Sequence, residues 1–135
     1  MGQAFISIAI ENSADLPDGS STRGAVRRLD LPGTLMDSGA THLCLPANLI
    51  ADLGLALSRE VPVKTATGYQ SRRIFRNAIV RFEDRETQCE CIELPAGMPP
   101  LLGAIPMEGL GVEPDLQNRR PRKLPMDAHG SFMSV

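Results

Sequence analysis

The residues of this chain best placed to do chemistry stand together: Leu35 and Met36 lead into Asp37, and Ser38, Gly39, Ala40 and Thr41 follow. The apolar pair reads as the end of a buried strand, and Gly39 permits a backbone turn that a residue with a Cβ would resist. Such a turn presents the Asp37 carboxylate at the floor of a cleft, where the Ser38 hydroxyl and nearby backbone N–H groups can hydrogen-bond it. Dividing acid and base roles between carboxylates would need a second one. No second one has this setting. Asp52, Glu83, Asp84, Glu86 and Glu108 lack the apolar approach and the glycine, and read as solvated surface groups.

Other chemistries fit less well. Ser38 is not set in a Gly-x-Ser-x-Gly elbow, and neither His42 nor His129 has an indicated partner, so a serine nucleophile is not expected. His42 alternates with Leu43 and Leu45 and is expected to point outward. Cys89 and Cys91, two apart on a strand, place both sulfurs on one face and read as small core residues. A zinc site would want four ligands, and Cys44, His42 and His129 are the remaining candidates at irregular spacings. No metal and no cofactor are expected. Three cysteines also argue against a disulfide framework.

Asp37-Ser38-Gly39-Ala40-Thr41 resembles the Asp-Thr/Ser-Gly-Ala signature of retropepsin-like aspartic proteases. The likeness continues in an apolar strand, His42-Leu43-Cys44-Leu45, and a short helix from Pro46 to Leu53 closed by Gly54. Leu101-Leu102-Gly103 resembles the family's hydrophobic-hydrophobic-glycine element, and Ala104 to Leu110 the helix after it. The resemblance implies a mostly β, single-domain acid protease fold over 1–124, a closed β structure with one or two short helices that forms a two-fold homodimer. It also implies an aspartic endopeptidase with Asp37 of each copy as catalytic residue. Ser38 would brace the floor across the dimer, Gly39 would let substrate backbone approach, and Ala40 would belong to the same active-site support. The alternative is a dimer that keeps the fold and binds a peptide or protein partner without cleaving it.

The elements that would position these residues are legible in outline. Ile6, Ile8 and Ile10 alternate on one strand, and Asn12 to Ser21, with Pro17-Asp18-Gly19, is a loop. Ala25 to Leu31 is a second strand, after which Pro32-Gly33 bends the chain into the strand carrying Asp37. Val61, Val63, Thr65 and Thr67 alternate up to a turn at Ala66-Thr67-Gly68, and Ser71 to Phe82 returns as a hairpin partner. By the resemblance this hairpin is a flap over bound peptide, with Gly68 at its tip and Thr67 and Tyr69 beside it. Tyr69 follows the glycine, whereas pepsin-like flaps carry a tyrosine before it, so that tyrosine's role is not transferred. Asp84-Arg85 is the next turn, Glu86 to Leu94 a strand, and Pro95 to Pro100 a loop.

The last segment, Val112 to Leu124, reads as a solvated hairpin arm that helps two copies meet, and 125–135 as a poorly ordered tail. Its basic cluster at Arg119, Arg120, Arg122 and Lys123 lacks the aromatic residues of a nucleic-acid surface. The 135-residue chain has a formal charge of −2, which gives no reason to expect nucleic-acid or anionic-membrane partners. No run approaches the roughly 18 apolar residues of a membrane span. Met1-Gly2-Gln3-Ala4-Phe5 has no basic stretch before a long apolar core, so a cytoplasmic protein is expected. Its expected partners are a peptide or protein substrate and a second copy of itself.

Overall fold

The computed structural model describes residues 2–16 and 25–126, so the expectations for Pro17-Asp18-Gly19 and for most of the C-terminal tail lie outside the described residues. The first strand, β1 (Ala4–Asn12), buries Ile6, Ile8 and Ile10, as the alternation requires. It pairs antiparallel with β2 (Arg28–Met36). The anticipated bend at Pro32-Gly33 is instead a bulge inside one continuous strand. Ile6 faces Thr34 while Ile8 faces Leu31, so β2 carries one extra residue there, and Gly33 takes φ +69°. A bulge absorbs a proline without N–H and a left-handed glycine while pairing resumes on either side.

Next come β3 (Leu43–Pro46) and α1 (Ala47–Leu53), which ends at Gly54 with φ +65°. The end of this helix is tied to the first strand by a polar side chain, and a part-buried ion pair follows beside it. The Asn12 amide donates to the carbonyls of Leu53 at 2.9 Å and Gly54 at 3.2 Å. Asp15, whose side chain is 1% exposed, accepts from Arg27 Nε at 2.7 Å and from the Arg27 backbone N–H at 3.1 Å. With that N–H engaged, β2 begins at Arg28 rather than at Ala25.

The long hairpin consists of β4 (Ala56–Thr65) and β5 (Gly68–Phe82). β6 (Arg85–Leu94) follows through a turn at Glu83-Asp84, one residue earlier than expected, and Glu83 has φ +54°. Then come β7 (Leu101–Leu102), α2 (Ala104–Leu110) and a separate hairpin of β8 (Val112–Asp115) and β9 (Arg120–Lys123). The main sheet runs β1-β2-β7-β3-β6-β5-β4, and a further β1–β5 pairing closes six strands into a ring with β4 outside it. The described residues therefore form a small, mostly β domain with two short α-helices.

One edge of β5 serves two partners. β4 pairs with it as far as Arg76 and β1 from Ala78, and the change falls at an irregularity where Asn77 has φ +77°. The β8–β9 hairpin is held to the body by Arg85, which donates to the carbonyls of Gly111 at 2.6 Å and Leu124 at 2.7 Å. Among the described residues, no helix is long and apolar enough to cross a membrane.

Glu11, on the ring-closing strand, is the charged counterpart of the core. It accepts from Arg81 at 2.5 Å and Arg28 at 3.1 Å. Burial pushes its carboxyl up, but the hydrogen bonds from Arg81 and Arg28 prevail and hold it below its ordinary 4.5. A carboxyl lowered on folding adds stability above its unfolded value, and that increment disappears as pH falls through the lowered one. Glu11→Gln should cost about 1–3 kcal/mol at pH 7. The gap in urea midpoint between variant and wild type should shrink by pH 3.

Candidate active site

The strand pairings dictate the shape of the loop that carries Asp37. The Asp37 N–H extends the β2 ladder by donating to Leu102 O at 2.9 Å, after which the chain turns, with Ala40 N–H donating to Asp37 O at 3.1 Å. Inside the turn, the Gly39 N–H donates to Asp37 Oδ1 at 2.9 Å and fixes the carboxylate's orientation. The loop then meets the start of α2. Ala104 N–H donates to Ala40 O at 2.8 Å and Ile105 N–H to Thr41 O at 2.9 Å, so loop carbonyls satisfy donors that a helix N-terminus leaves free. Gly103 sits at the junction with no room for a side chain. A Cβ there would lie 2.4 Å from His42 O and 2.7 Å from Ala40 O.

The registers also divide the sheet into two faces. Met36, Leu102, Leu43, Cys91 and Phe75 are aligned partners across five strands, and all belong to the main core. The adjacent row, Leu35, Leu101, Cys44, Ile92, Ile74 and Arg59, therefore lies on the opposite face. Ile74 is only 2% exposed, and Cys44 is buried too, yet neither belongs to the main core cluster. Asp37 stands two residues beyond Leu35, at one end of this second row. At that end an apolar cavity of about 320 Å³ is lined by Phe5, Leu31, Leu35, Pro99, Pro100 and Leu101. Larger cavities, of about 640 and 450 Å³, lie along β1 and the β8–β9 hairpin, and neither these nor the 320 Å³ cavity has Asp37 in its lining.

Beside this row is a charged rung. Arg59 grips both oxygens of Glu90, at 2.5 and 2.9 Å. His42 lies near enough to help lower the Glu90 carboxyl, after the dominant hydrogen bond from Arg59. Expected to face outward, His42 is instead half-buried, and its Nδ1 is enclosed without a hydrogen-bond partner. Its backbone is held against Gly103, and its side chain lies close enough to Glu90 to act on that carboxyl. The thiols of Cys44 and Cys91 are buried and that of Cys89 is half-buried against the core. Burial, then the charge of Asp37, pushes Cys44 up to about 11, and burial pushes Cys89 up to about 12. No group of three or more His, Cys, Asp or Glu residues that could hold a metal occurs among the described residues.

The other expected site residues are placed as follows. Ser38 and Gly39 are exposed at the head of the turn, and Ala40 is half-buried beneath it. Thr67 belongs to the two-residue connection Ala66-Thr67, while Gly68, expected at the tip, is the first residue of the return strand. Gly68 keeps a glycine's backbone, φ +117°, and its carbonyl accepts from Thr65 Oγ1 at 2.8 Å. Tyr69 pairs with Lys64 and is 74% exposed. It alternates with Ser71, Arg73 and Phe75, so the structure puts it on the face away from the Asp37 row. The chain thus gathers Asp37, Ser38, Gly39 and Ala40 in one turn, whereas Thr67, Gly68 and Tyr69 lie at the far end of the β4–β5 hairpin. Sequence reasoning missed Arg59, Glu90 and Leu101 as members of the site's surface. Their only signal is cross-strand register, which a single chain does not display. Neither protein-family models nor curated proteins match this chain.

Because a methyl group at Gly103 would press on backbone, which yields less than a side chain, Gly103→Ala should lower stability by about 1–3 kcal/mol. The same substitution should broaden the amide resonances of Gly39 to His42, while an equally destabilising change in α1 should leave them sharp.

Proposed function

We propose that this protein is a retropepsin-like aspartic endopeptidase whose active centre forms when two copies meet about a two-fold axis, each supplying Asp37. The observation that carries the reading is the Asp37–Thr41 turn. Its carboxylate is oriented by the Gly39 N–H and its backbone is clamped by Gly103 and the first residues of α2. Such rigidity is what acid–base chemistry asks of a group that exchanges a proton at a defined distance.

In this mechanism the two carboxylates share one proton. The ionised member takes a proton from water as that water attacks the scissile carbonyl carbon, and the protonated member donates to the carbonyl oxygen. The resulting intermediate collapses as the amide nitrogen is protonated and the C–N bond breaks. Ser38, exposed at the head of the turn, is available to a second copy. The apolar cavity beside Leu35 and Leu101 is sized for a substrate side chain, and the β4–β5 hairpin serves as the flap. Three unpaired thiols suit a reducing compartment such as the cytoplasm.

Asp37→Asn should abolish hydrolysis of a peptide library and leave fold and association unchanged, since the amide keeps the volume but not the proton exchange. Below the dissociation constant of the dimer, the initial rate should rise with the square of protein concentration. Excess Asp37→Asn chains should suppress wild-type activity by forming mixed dimers. Retained peptide binding with no cleavage by the wild type would favour a binding module, and a rate linear in protein from a strictly monomeric species would overturn the shared centre.

A further inference from the structure

The β4–β5 hairpin is charged out of proportion to the rest of the chain. Residues 56–76 hold five basic side chains against one acidic, Glu60, in a protein whose formal charge is −2. Two of the five are neutralised, Arg59 by Glu90 and Arg73 by Glu93. Lys64, Arg72 and Arg76 have no carboxylate partner among the described residues. Arg72 is held in place without being neutralised, since it donates to Gln70 Oε1 at 2.8 Å and to Ser71 O at 3.3 Å, both uncharged acceptors.

Strand alternation decides where these charges lie. Arg72, Ile74 and Arg76 share one face of β5, and Ile74 belongs to the row that ends at Asp37. On that face Glu90 is already engaged at both oxygens by Arg59. Glu60 pairs with Arg73 and so takes the other face, where Ser71 donates to it. The face continuous with Asp37 therefore carries two uncompensated guanidinium groups and no free carboxylate on β4 or β5 to oppose them.

We infer that the ligands of this face are extended acidic peptides, with Asp or Glu residues flanking an apolar centre and met by Arg72 and Arg76. The inference rests on the proposed protease reading only in naming that centre as the point of cleavage. A guanidinium matches a carboxylate in shape as well as charge, and two such contacts at a partly exposed surface change affinity by about tenfold.

The test uses three peptides with a common Leu-Phe centre and Glu, Gln or Lys flanks. Binding to Asp37→Asn protein is measured by fluorescence anisotropy, and kcat/KM is measured with the wild type. The Glu peptide should bind about tenfold tighter than the Gln peptide, with the Lys peptide weakest, and the spread should narrow at high salt. Arg72→Gln with Arg76→Gln should remove the preference, and Glu at both positions should reverse it. Lys64→Gln, on the other face, should leave it in place. Equal binding of Glu and Gln peptides, no binding of either, or a preference that survives loss of both arginines would overturn the inference. Cleavage without charge preference would sink this inference and spare the protease, whereas arginine-dependent binding of the acidic peptide without cleavage would do the reverse.

Discussion

The close approach of Gly103 to the backbone of Ala40 and His42 is the constraint on which the site depends. It brings the end of β7 against the loop that follows β2, and lets Ala104 and Ile105 spend their free N–H groups on loop carbonyls. Without that contact the turn at Asp37 would retain only its internal bonds, from Gly39 and Ala40, and the extension of the ladder to Leu102. A turn of that kind is a surface loop. With it, the carboxylate is mounted on the same rigid unit as the ring of strands.

The ring has a second consequence. Because six strands close on themselves, one face of β2, β7, β3, β6 and β5 fills with the main core, and the alternate residues necessarily project to the other side. The row from Leu35 to Arg59 is the outcome: an apolar band outside the core, with a carboxylate at one end and a basic hairpin at the other. The middle of the row, Cys44 and Ile74, is already buried within the chain, so the apolar surface it can offer a ligand is that of its half-buried members Leu35, Leu101 and Ile92. Its charged border, formed by Glu90 with Arg59 and by Arg72 and Arg76, which have no carboxylate partner among the described residues, gives it a direction.

Much of this was legible in the chain, for physical reasons that differ from element to element. The isoleucines of β1, the Pro46 and Gly54 limits of α1 and the glycines after Asp37 and Leu102 are local signals, since each reports a backbone preference of its own residue. Pro32-Gly33 misled because a bend and a bulge ask for the same residues, and only the pairing of Ile6 with Thr34 and Ile8 with Leu31 separates them. The hairpin turn, Ala66-Thr67, falls within the expected Ala66-Thr67-Gly68, but the return strand begins at Gly68 rather than Ser71, where the hydroxyl of Thr65 closes the connection by donating to Gly68 O. The half-burial of His42 was not legible because its neighbours, Gly103 against its backbone and Glu90 near its side chain, are distant in sequence. What register and long-range packing decide is not written at any one position.

The hairpin itself divides where its partners change. Ile74 and Phe75 pair with β4 on one side and β6 on the other, whereas Gly68 to Arg73 pair with β4 alone. The ion pairs Arg59–Glu90 and Arg73–Glu93 both join the hairpin to β6, and they fall at this same boundary. The inner half is thus tied to the ring by backbone and side chains, and the outer half, from Val61 to Arg72, is sustained by its own two strands. Local opening is cheapest where tertiary contacts are fewest. This outer half carries Arg72, so one of the two arginines proposed to meet a ligand rides on the part of the hairpin that yields more readily, while Arg76 sits at the base fixed to the strands that hold Asp37.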